Sequence, residues 1–82
     1  MFVSKVGIVE NKERTFLINV PNPDWDTEGL ALVQVAVNEG YVVEVMPTDF
    51  DIQVEVKHKS FMDSTNEQLN DLGIYLIDQA TE

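Results

Sequence analysis

"LNDLGIYLID", residues 69–78, decides how many strands the chain contributes to its sheet. Gly73 divides the stretch. Before it, Leu69 and Leu72 make a short apolar stripe at helical spacing. After it comes IYLID, rich in residues that favour strands. A glycine just beyond a periodic run is where helices commonly stop. The preferred reading is a short helix, opened by a Ser64–Glu67 capping-box pair and ended by Gly73, followed by a last strand at 74–78. The competing reading is one helix over 64–80, with Leu69, Leu72, Leu76 and Ala80 as its stripe.

Upstream, FDIQVEVKHK at 50–59 alternates cleanly. Phe50, Ile52, Val54, Val56 and His58 point one way. Asp51, Gln53, Glu55, Lys57 and Lys59 point the other, as in a strand with one buried face. YVVEVM, 41–46, is a strand, and PTDF, 47–50, a turn with Pro47 suited to its first central position. Near the start, FVSKVGIV at 2–9 and RTFLINV at 14–20 read as strands joined through a turn at ENKE, 10–13. Pro21 and Pro23 end the second strand, because neither can donate a ladder hydrogen bond.

Between these strands a helix is expected over 27–39. Asp26 or Thr27 would be its N-cap, and Asp24, Asp26 and Glu28 lie where the macrodipole favours negative charge. Leu30, Val33 and Val37 share one side, with Leu32 and Ala36 beside them. Gly40 occupies the position of a left-handed terminating residue. VQVAV, 33–37, also alternates like a strand. The capping residues, the terminal glycine and the need for a crossover between the flanking strands favour the helix.

These elements give one α+β domain over 1–82. From residue 14 onward the order is βαββαβ, the ferredoxin-like arrangement of two helices on one face of an antiparallel sheet. The N-terminal strand is an extra edge.

The chain carries 15 acids against 5 bases, a net charge of −10. Residues 1–14 hold Lys5, Lys12 and Arg14 against Glu10 and Glu13. Residues 15–56 hold eight acids and neither Lys nor Arg. Such a surface repels nucleic acid and anionic lipid and attracts basic partners. There is no cysteine, hence no disulfide or thiolate metal site. No apolar run approaches the ~18 residues of a membrane span. MFVSKVGIVE lacks the basic-then-apolar order of a signal peptide, so a cytoplasmic protein is expected.

Asp24, Asp26, Glu28 and Gly29 loosely match the start of a calcium-binding EF-hand loop, but Val35 stands where the closing bidentate Glu is required. Catalytic patterns are weak. His58 is the only histidine and falls at the fraying end of a strand. No serine sits in a nucleophile elbow, and the four glycines are scattered rather than forming a phosphate loop. RNA-binding sheets of this shape interleave aromatics with basic residues; here Asp51 and Glu55 occupy the strand instead. No cofactor or metal is expected.

The expected function is that of a small acidic, non-enzymatic protein-interaction module. It would act as an inhibitor or decoy on a basic surface of a partner protein, in the sharpest version a surface that binds nucleic acid. In composition it resembles compact acidic accessory proteins of phage. Contact would come from Trp25, an aromatic anchor ringed by acids, and from Asp24, Asp26, Glu28, Glu44, Asp49, Asp51 and Glu55. Carboxylates two residues apart on a strand lie ~6.8 Å apart, near phosphate spacing. Leu17, Val42, Met46, Tyr75 and Ile77 would share the sheet's uncovered face and form a homodimer interface. Two alternatives stand beside this: a dimeric small-ligand-sensing domain, and a small enzyme.

Overall fold

The structure, a computed structural model, describes residues 1–82. Strands β1 (Phe2–Glu10), β2 (Glu13–Pro21), β3 (Val42–Pro47) and β4 (Asp51–Lys57) form one antiparallel sheet in the order β1-β2-β4-β3. Helix α1 (Leu30–Asn38) lies between β2 and β3, and α2 (Asn66–Ala80) ends the chain. β4 sits between β2 and β3, so the β2–α1–β3 crossover spans a strand that comes later in sequence.

The element order is therefore ββαββα. The expected strand at 74–78 is the latter half of α2, and with it goes the βαββαβ order from residue 14. Gly73 is the reason. It is buried in mid-helix, where a Cβ would lie 2.5 Å from Val3 Cγ2 and 3.4 Å from Phe16 Cε2. The missing side chain lets α2 press onto β1 and β2, so this glycine is a packing notch and not a stop. The capping box is also one residue later than expected. Thr65 Oγ1 accepts from the Gln68 amide (3.1 Å), and Gln68 Oε1 accepts from the Thr65 amide (2.8 Å). Ser64 is turned elsewhere: its hydroxyl donates to the Ser60 carbonyl (3.4 Å), and its own carbonyl accepts from Arg14.

Alternation along the sheet builds the core. Phe16, Ile18 and Val20 of β2 and Val54 and Val56 of β4 are buried on one face, with Phe16 opposite Val56 and Ile18 opposite Val54. Leu32 and Ala36 of α1, Leu69 and Leu76 of α2, and Phe61 complete the cluster. Each fully buried Leu, Ile, Val or Phe contributes ~1.5–3 kcal/mol by leaving water. β1 adds Val3 and Val6 through two bulges, one in each of the intervals Val3–Lys5 and Val6–Ile8.

Two turns follow their residues closely. Asn11 and Lys12 both take positive φ (51° and 66°) between the paired Glu10 and Glu13, the backbone of a tight hairpin matched to strand twist. Gly40 (φ 93°) ends α1: its amide bonds the Val37 carbonyl, and the Tyr41 amide bonds that of Ala36. That is the two-bond Schellman closure, which favours glycine at the left-handed residue.

Candidate functional site: the acidic end of the sheet

β2 ends at Pro21, β3 at Pro47, and β4 begins at Asp51; Pro21 pairs with Asp51, and Pro47 with Ile52. Residues leaving β2 and residues joining β3 to β4 therefore meet at one end of the sheet. Asp24, Asp26 and Glu28 stand there with Asp49 and Asp51. No ion pair reaches any of the five, since every salt bridge in the molecule centres on Lys57. No lysine or arginine lies at this end, where β1 also begins with Phe2 paired to Asn19. Lys12, Arg14, Lys57 and Lys59 lie at the opposite end, and Lys5 pairs with Leu17 midway.

The segment from 22 to 29 is helical but not by the expected route. A 3-10 turn (Asn22–Asp24) passes into a π turn (Trp25–Gly29) and then into α1, with no side-chain cap at either entry. Asp26 caps nothing; Thr27 instead donates to the Asp24 carbonyl at 3.2 Å. Trp25 is half-buried. Its ring lies over Gly29, where a Cβ would stand 2.2 Å from Trp25 Cε3, and packs against the core. The indole thus anchors the start of its own helix.

The most exposed aromatic of this end is Phe50, 88% accessible, with Phe2 also exposed there at 56%. The alternation of 50–59 assigns it to the core, but β4 starts one residue later. Thr48 explains the shift. Its hydroxyl accepts from the amides of Phe50 (3.3 Å) and Asp51 (3.1 Å), and its amide donates to the Asp51 carbonyl (2.8 Å). Asp49 and Phe50 become the two residues at the tip, and Pro47 stays in β3 rather than entering the turn. Asp51 also accepts from Thr48 Oγ1 (2.7 Å) and from the Asn19 amide group. A hydroxyl two to three residues ahead of the amides it binds is a recognisable turn signal, and Thr48 is the residue that could have taken Phe50 out of the strand.

Glu44 and Glu55 do not join the acidic end. Glu55 is 3% exposed; its Oε2 accepts from Thr15 Oγ1 (3.0 Å), and its Oε1 faces Lys57 Nζ (3.1 Å). Glu44 meets the same ammonium at 3.0 Å and Glu10 at 3.7 Å. The three carboxylates have ligand-like spacing, with oxygens within 4.8 Å of one another, but the cation among them is Lys57. The hydrogen bond from Lys57 holds the Glu44 carboxyl below its ordinary range, and the hydrogen bonds to Glu44 and Glu55 raise Lys57. Both shifts favour the folded state at neutral pH. The Glu44 contribution is present above ~4.3 and lost as pH falls through its lowered value. That of Lys57 is present below ~10.4 and lost as pH rises through its raised value.

The five apolar residues expected on one uncovered face are divided. Leu17, Val42 and Met46 do point to the helix-free side, in register with Glu55, Lys57 and Gln53, but Leu17 is buried there, Met46 half-buried and only Val42 exposed. Tyr75 and Ile77 lie on α2, the helix that covers the other face; Ile77 packs against the core there, while Tyr75 is exposed. Tyr75 donates to Glu39 at the end of α1 (3.3 Å), and the Glu39 charge raises its phenol. His58 is structural: Nδ1 accepts from the Ser60 amide (3.1 Å), and the ring packs edge-on to Tyr41.

No helix is long and apolar enough to cross a membrane. Comparison of the chain with protein families, with curated proteins and with solved structures gives no match.

Proposed function

We propose that the protein is a non-enzymatic interaction module whose acidic end occupies a basic surface of a partner protein, as an inhibitor or decoy of a nucleic-acid-binding site. One observation carries the reading. Asp24, Asp26, Glu28, Asp49 and Asp51 lie at one end of the sheet without a side-chain base, the end that also carries the exposed Phe50. Unpaired charge of one sign raises the encounter rate with an opposite surface. An exposed aromatic ring supplies the apolar contact that charge alone does not. The structural alternative for these acids, helix capping, is weakened because none of them caps α1.

The test is parallel affinity capture from the native host, using the unaltered chain and an Asp26→Lys/Asp49→Lys variant. Both side chains are exposed and make no hydrogen bond, so the fold should be retained. The reading expects a basic protein that is captured only by the unaltered chain, released by ~0.5 M salt as screening shortens, and displaced by duplex DNA. The same proteins captured by both chains, with binding indifferent to salt, would sink it.

A further inference from the structure

The two edges of the sheet are protected unequally. β1 carries two bulges and Lys5, devices that stop an edge from pairing with another chain. β3 has neither. It runs in unbroken register with β4 from Val42–Lys57 to Pro47–Ile52. Its residues Val42, Val43, Glu44, Val45 and Met46 include no Lys, Gly or Pro; only Pro47, at the very end, lacks an amide to offer. None of the backbone hydrogen bonds made outside the helices and the sheet uses residues 42–47, so the outer row of amides and carbonyls has no partner in the chain. Val42 is 63% and Val45 39% exposed, on opposite faces.

We infer that the free edge of β3 is a docking site for an extended, basic segment of a partner protein, which adds as a fifth strand beside Val42–Met46. Charge selects this occupant. The strand runs into the acidic end, next to Asp49 and Asp51, and its own Glu44 is already paired with Lys57. A second copy of the chain would bring a further charge of −10 to the same place, whereas a cationic strand is drawn in. Backbone pairing supplies the affinity and the exposed valines select alternate side chains, as in other strand additions. An antiparallel strand, the better-bonded arrangement, places its N-terminal end beside Asp49 and Asp51. This inference rests on the proposed function and gives it a mode of contact.

The probe is the peptide amide Lys-Lys-Thr-Val-Thr-Val-Thr-Val, titrated into isotope-labelled protein and followed by amide resonances. Saturable shifts and slowed hydrogen exchange across 42–46 are expected, together with shifts at 48–51. A peptide beginning Glu-Glu should bind more weakly by roughly tenfold or more. Proline at the fifth peptide position should abolish binding. Val42→Lys, at a solvent-facing position, should weaken it while core resonances stay in place. Shifts confined to 24–28 and 48–51 would overturn the edge site and leave the acidic-end reading intact. Equal binding of the Glu-Glu peptide across 42–46 would overturn the basic occupant of the edge, leaving the acidic-end reading to the capture experiment. Protection of 42–46 without peptide, with the mass of a dimer, would assign the edge to a second copy. Absence of any shift would reject the site.

Discussion

α1 is entered through a 3-10 and a π turn without one side-chain cap, whereas α2 opens on the reciprocal Thr65–Gln68 pair. α1 closes with a two-bond left-handed terminator at Gly40; α2 carries its glycine in the middle. Both feed the same core, yet their ends are held by different physics. The start of α2 is specified by four consecutive residues. The start of α1 is specified by packing, with the Trp25 ring laid over Gly29 and the chain direction set by Pro21 and Pro23. The contrast teaches why acids at a helix start need not be structural: the acids of α1 leave its free amides alone and remain available to solvent or to a partner.

The sharpest way to break this comparison is at the notch. Gly73→Leu should destabilise the fold by about 3 kcal/mol or more, because overpacking against Val3 and Phe16 outweighs the ~1 kcal/mol gained in helix propensity. A denaturant titration that finds the variant as stable as the parent would show that α2 does not press on the sheet there. Next comes the packed start of α1. Trp25→Ala should cost roughly 2 kcal/mol, less than the ~3–5 typical of a fully buried ring, read as a fall in melting temperature. A loss below ~0.5 kcal/mol would mean that the indole is an outward-facing anchor and not the clamp on its helix. The capping box is smaller: Thr65→Ala should lose ~1 kcal/mol, with Ser64→Ala costing less because the Ser64 side chain caps no amide of α2. The least effect belongs to Asp26→Ala, within ~0.5 kcal/mol of the parent. A cost near that of Thr65→Ala would restore Asp26 as a cap.

The same two helices show what the residues disclose on their own. α1 was legible as a helix despite its valines, because Gly40 marks a local event, a backbone turning left-handed. The strands were legible for a similar reason: β4 alternates, and alternation maps one-to-one onto faces. Gly73 was misread because the side chains it makes room for, Val3 and Phe16, lie far upstream, and no local pattern reports them. Phe50 was misread because strict alternation extends β4 by one residue, while the Thr48 hydroxyl starts it later. Of the expected site, Asp24, Asp26, Glu28, Asp49 and Asp51 converge as strand ends must. Glu44 and Glu55 do not, because a register of three strands brings them to Lys57. The helix-free positions of Leu17, Val42 and Met46 followed from alternation; those of Tyr75 and Ile77 failed with the strand assigned to them.

The place of β4 between β2 and β3 also sets an order of events in time. The β1–β2 and β3–β4 hairpins are each closed by tight turns, but joining them requires contacts 30 residues apart at Pro21–Asp51 and 42 apart at Thr15–Lys57. Closing a loop of that length costs ~3 kcal/mol of chain entropy before any strand contact repays it. Each hairpin can therefore form in microseconds, while their union is the slow step of folding. In stopped-flow refolding, Val54→Ala at the β2–β4 seam should slow folding, whereas Lys12→Gly at the first turn should stabilise the hairpin and leave the rate nearly unchanged. During synthesis the inner edge of β2 has no strand to pair with until residues 51–57 leave the ribosome, and its apolar face is fully covered only when α2 follows.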